Sequence, residues 1–251
     1  MFDRHRRARR FTLGFPPLIL ALLVLFNHTR TQETGWPASL VALAAMVAVI
    51  VGAGGIKLDD VGLDRDMLAH GVGITLMTWA ATQVIGVLPR VVAEDPVAIH
   101  GSWLHGSALT IGGNLLTALC AATLAEVALR GFLLVQLYQL LHRDPKDSTQ
   151  GVFGTVALTL VVGNAIALLD IWPADSTRQL LLTQAIAAGI GLYLSWIYLH
   201  TSNLFFAIGV HTLILAPTPV VAGLRGEPGW FFPIVVAAVA AVWVLLWPRR
   251  D

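Results

Sequence analysis

The stretch AATLAEVALRGFLLVQLYQLL, from Ala121 to Leu141, decides the fold. Its only ionisable groups before Tyr138 are Glu126 and Arg130. A run this long and this apolar reads as a helix crossing a bilayer, which needs about 20 residues. A charge at bilayer depth costs about 2.5–3.5 kcal/mol on insertion scales, so it persists only when paired or facing a polar cavity. Glu126 and Arg130 stand four apart. At about 100° per residue they lie about 40° from each other around a helix and can neutralise one another. An intramembrane pair of this kind marks a functional site by default, with a structural salt bridge as the competing explanation.

The rest of the chain extends this reading. Hydrophobic residues make up 56% of the sequence, charged residues 12%, and mean hydropathy is +0.74. Soluble domains carry about 25% charged residues, so the expected fold class is all-α, a polytopic membrane helix bundle. Eight spans are predicted, near 12–27, 36–56, 67–88, 107–129 (running on to 141), 151–172, 180–200, 203–224 and 229–247. The first resembles a signal peptide, but LFNHTRTQ after it offers no small-x-small cleavage site, so it is read as an anchor. Trp36, Trp172, Trp230 and Trp247 fall at span ends, as an aromatic belt requires. The loops are short, and residues 1–251 form a single transmembrane domain with a basic N-terminus over 1–11.

Charge placement orients it. Arg4, Arg6, Arg7, Arg9, Arg10, Lys57, Arg65, Arg143, Lys146, Arg249 and Arg250 share one side; Arg30, Arg90, Arg178 and Arg225 share the other. Eleven against four puts both termini in the cytoplasm, and the expected location is the plasma membrane. The net charge of +1 is localised and points to no nucleic-acid partner. One cysteine, Cys120, excludes an internal disulfide and a thiolate metal cluster.

Two further spans bury a polar group at mid-depth: Asn164 in VALTLVVGNAIALL and His211 in NLFFAIGVHTLIL. Each needs a partner that lipid does not offer. Interhelical hydrogen bonding, worth about 0.6 kcal/mol on average, would account for either alone. Taken with Glu126 and Arg130, they are expected to converge on one cavity. His100 and His105 in HGSWLH lack the three- or four-residue spacing of a helical metal site. A divalent metal is therefore weakly supported and no cofactor is expected. HExxH, GxSxG and a phosphate loop are absent from the sequence. Pro217 and Pro219 in LILAPTPVV kink or end the seventh span beyond His211.

AEVALRGFL, from Ala125 to Leu133, resembles the first motif of the CPBP family, which includes the CAAX prenyl endopeptidases and bacteriocin-processing or self-immunity proteins. SNLFFAIGVHTLI resembles its third motif, and DDVGLDR before span three is similar to a family phrase. The likeness covers about 56–224 in span order and spacing. It implies the CAAX endopeptidase fold and a site at Glu126, Arg130, Asn164 and His211. Matched position by position, the first motif glutamate falls on Ala125, the second on Glu126 and the arginine on Arg130. The second-motif His falls on Asn164, with Leu160 in place of the Phe; the third-motif His matches His211, and the Asn after it falls on Leu215.

In the family the first glutamate is understood to activate water with the second-motif His, and the third-motif His and Asn to stabilise the oxyanion. The resemblance thus implies that the orienting pair is kept and the general base is lost, at a cost of about 10²–10⁴-fold. A lost oxyanion donor adds about 10²–10³-fold. Three functions compete. One is a degenerate, weakly active or inactive relative that binds a membrane-embedded or lipidated peptide or protein. Another is an active endopeptidase in which Glu126 rotates into the base role. The third is a small transporter or immunity protein using the same cavity, which the absence of an inverted repeat argues against.

Overall fold

The computed structural model describes residues 35–48, 59, 62–141, 148–171, 176–221 and 230–247. The predicted first span at 12–27 and the basic N-terminus lie outside them. The described chain is helical: α1 (Gly35–Ala48), α2 (Arg65–Val92), α3 (Gly101–His105), α4 (Ala108–Glu126), a π-helical turn (Val127–Leu134), α5 (Val135–Leu141), α6 (Ser148–Ile171), α7 (Thr177–Thr201), α8 (Leu204–Leu215) and α9 (Phe231–Leu246). The described β-bridge is an isolated antiparallel pairing of Ile99 with Val221.

Among the described residues three helical stretches are long and apolar enough to cross a membrane: Arg65–Val92, Ala108–Tyr138 and Thr177–Thr201. Gly154–Ala165, Leu204–Leu215 and Phe231–Leu246 are apolar but shorter. The expectation of eight full-length spans is therefore met only in part. The seventh shows why. Its helix stops at Leu215, two residues short of Pro217, because a proline ring disfavours helical backbone at the residue before it and supplies no N–H of its own.

Ala108–Tyr138 is the axis of the bundle. Of its most apolar stretch 83% is buried, against 17% for Arg65–Val92 and for Thr177–Thr201. The outer helices turn large apolar residues such as Leu76, Met77, Val84, Leu181, Leu182 and Leu245 outward. In water such a surface would be a liability; against lipid tails it costs nothing. Hydroxyls inside the helices are satisfied locally. Thr75, Thr78, Thr82, Thr159 and Thr212 each donate to the carbonyl four residues back, all at 2.8 Å.

Three contacts fix α8 against α2. Ser202 adopts a left-handed backbone (φ 53°) that ends α7. Asn203, fully buried, then caps α8: its Oδ1 accepts from the Phe206 amide at 3.1 Å, and its Nδ2 donates to the Met67 carbonyl at 3.1 Å. Gly71 lets the two elements close, since a Cβ there would lie 2.6 Å from Phe205 Cβ and 3.0 Å from the Phe206 amide nitrogen. One turn further, Gly209 gives the same clearance to Thr75.

Beyond α8 the chain from Pro217 to Val221 is not helical. Its carbonyls are not left bare. Gln83 Nε2 donates to the Thr218 carbonyl at 3.1 Å, Trp103 Nε1 to Pro219 at 2.9 Å and the His100 amide to Val220 at 2.8 Å. Gln83 Oε1 accepts from the Val220 amide at 2.7 Å. Irregular backbone is tolerated inside a membrane protein when protein groups satisfy it in this way.

Candidate functional site

Glu126 is the last residue of α4, where the backbone passes into the π turn that carries Arg130. Single π turns recur at functional sites. The i, i+4 pairing expected from an α-helix holds across this transition: Arg130 Nη1 donates to Glu126 Oε1 at 2.8 Å. Each of the three guanidinium nitrogens is engaged. Its Nη2 donates to the Gly191 carbonyl at 2.9 Å, and its Nε approaches Ser195 Oγ at 3.4 Å. Ser195 in turn donates to Gly191 at 2.8 Å.

His211 reaches the same carboxylate from α8. Its Nδ1 stands 2.7 Å from Glu126 Oε1. Three of the four residues singled out from the sequence, Glu126, Arg130 and His211, thus meet at one oxygen. The fourth, Asn164, is half-buried on α6, and its Nδ2 donates to the Leu160 carbonyl one turn back at 2.9 Å. Leu160, which stands in the place of the family's Phe, packs over Gly191: a Cβ on Gly191 would lie 2.7 Å from Leu160 Cδ2 and 3.5 Å from Arg130 Nη2.

Burial separates the members. Glu126 is sealed at 0% side-chain exposure and Arg130 at 4%, whereas His211 keeps 15%. Glu126 Oε2 is buried without a hydrogen-bond partner. Both neighbours crowd onto Oε1 while the second oxygen faces protein. Ala125, in the position of the first motif glutamate, is half-buried and offers only a methyl group. Leu215, in the position of the family Asn, ends α8 with no polar side chain.

The cluster suits a metal poorly. A cation on Glu126 would sit beside the Arg130 guanidinium, whose positive charge opposes it. Among the described residues no group of three His, Cys, Asp or Glu is placed to hold one. Gly191 and Ser195 had not been picked out from the sequence. The signal available was the small residues spaced four apart in GIGLYLSW, a pattern that membrane helices use for close packing and that seldom singles out a site.

A family model described as type II CAAX prenyl endopeptidase Rce1-like matches residues 107–216. No curated protein and no solved structure matches the chain. The matched segment contains Glu126, Arg130, Asn164 and His211 together; over it the chain is similar to the CAAX protease-like proteins of the CPBP family, and its apolar helices are those of an integral membrane protein.

Proposed function

We propose that this protein binds an extended peptide, membrane-embedded or lipidated, against His211 with a degenerate set of the family's catalytic groups. The observation that carries this reading is the state of Glu126. Its side chain has no exposed surface, Arg130 and His211 both sit on Oε1, and Ala125 supplies no second carboxylate beside it. A general base must come within hydrogen-bond reach of the water it activates, and Glu126 offers no such approach. His211 keeps the open edge and meets the ligand. In this reading about eight helices cross the plasma membrane, with both termini in the cytoplasm. The partners are lipid and a peptide segment, with no nucleic acid.

The test is photocrosslinking in nanodiscs with a farnesylated peptide and its unprenylated twin. Adducts that map to peptides around His211 support the reading. Adducts spread evenly over the lipid-facing helices would remove it. A second reading, an active endopeptidase, is favoured by one contact, the 2.7 Å approach of His211 Nδ1 to Glu126. Mass spectrometry of the same incubations decides between the two. Products that vanish in Glu126→Ala and His211→Ala establish hydrolysis, and their absence leaves binding alone.

A further inference from the structure

We infer that His211, held by Glu126 in one tautomer, is a general base of this site through Nε2, taking the proton-accepting role that Ala125 cannot fill. The inference goes beyond peptide binding and rests on it, because the bond attacked belongs to the bound peptide.

Three observations carry it. The first is the pairing of Glu126 with Arg130 at 2.8 Å, the arrangement of an ionised carboxylate. An ionised carboxylate only accepts hydrogen bonds. The 2.7 Å contact with His211 therefore places the hydrogen on Nδ1. The second concerns the other ring nitrogen. With Glu126 and Arg130 neutralising each other, a neutral imidazole leaves the cluster without net charge, the least costly state at bilayer depth. Nε2 of that imidazole carries a lone pair, and among the described residues no hydrogen bond engages it. The third is exposure: His211 is 15% open where Glu126 is closed, so an incoming water meets the imidazole first.

The arrangement is that of a carboxylate that orients a histidine and stabilises its protonated form without itself taking the proton. The step balances. One hydrogen of a water passes to Nε2 as the water oxygen bonds to the peptide carbonyl carbon. The C–N bond then breaks as Nε2–H returns that proton to the leaving nitrogen. The second hydrogen of the water leaves the new carboxylic acid for the amine, giving carboxylate and ammonium. Arg130, fixed by Gly191 and Ser195, holds Glu126 in place throughout and is a positioning residue.

The test reads the ring with and without peptide. In protein labelled with ¹⁵N-histidine, assigned by the loss of signals in His211→Gln, the His211 ring should report Nδ1–H in wild type. That preference should be lost in Glu126→Ala. With the farnesylated peptide, wild type should show slow hydrolysis that falls about 10²–10⁴-fold in His211→Gln. An Nε2–H ring in wild type overturns the inference. So does hydrolysis that survives His211→Gln, or crosslinking of the peptide at His211 with no hydrolysis in wild type. Failure to crosslink would count against peptide binding instead, and is told apart because the tautomer is read before any peptide is added.

Discussion

Replacing Arg130 by Met should cost the fold more than any other single change near the site. The substitution keeps an unbranched chain of similar reach and removes the guanidinium. It breaks the bonds to Glu126 at 2.8 Å and to the Gly191 carbonyl at 2.9 Å, and the contact with Ser195 at 3.4 Å. Glu126 stays at 0% exposure with Oε2 already unpartnered. Breaking a buried pair by removing one partner costs about 3–5 kcal/mol, because an uncompensated charge remains. For a chain of this length, where 1 kcal/mol moves the midpoint by about 2–4 °C, that is a fall in Tm of about 6–20 °C. The assay is thermal unfolding in one detergent, followed by tryptophan fluorescence. Glu126→Gln in the Arg130→Met background removes the stranded charge, and the double variant should melt well above the single one. A single variant that loses less than about 1 kcal/mol, or a double variant no better than the single, would refute the reasoning that the pair is buried and mutually dependent.

Other outcomes follow from the same contacts. Gly191→Ala should lower Tm by the equivalent of about 1–3 kcal/mol, as overpacking against Leu160 Cδ2 at 2.7 Å requires, and Leu160→Ala in the same chain should return part of it. Gly71→Ala should destabilise because the added Cβ meets Phe205 Cβ at 2.6 Å and a backbone nitrogen at 3.0 Å. Gly73→Ala, with nothing within 4 Å, should instead stabilise by about 0.5–1 kcal/mol. Asn203→Ala should cost about 1 kcal/mol for the lost cap of α8 and about 0.5–1.5 more for the lost hydrogen bond to the Met67 carbonyl, read by the same melts.

The Glu126–Arg130 pair was legible in the sequence because charge is rare in an apolar run and four-residue spacing is decisive on a helix. The end of α8 was legible for a similar reason: Pro217 constrains the residue before it whatever surrounds it. His211 could be placed on the same cavity because lipid offers no partner to an imidazole. The π turn could not be read, since nothing in VALRGFLL separates i→i+5 from i→i+4 bonding. Nor could the role of α7. Ser195 and Gly191 serve Arg130 through one hydroxyl and one carbonyl, and every residue has a carbonyl. One of the competing readings had Glu126 rotating into the base role, and only the structure puts both of its partners on one oxygen.

The shortness of α8 sets a ruler. Its 12 residues rise about 18 Å, well under the about 30 Å of a bilayer's hydrocarbon core. His211 lies eight residues past the Asn203 cap, about 12 Å along that axis. An extended chain advances about 3.3 Å per residue. A free chain end threaded past the cap would thus need roughly four residues to bring a peptide bond level with the imidazole, while the segment behind it stays outside the helix bundle. Selection at this site would then act on the last few residues of a tail and on whatever anchors that tail, and would be blind to the folded body of the protein that carries it.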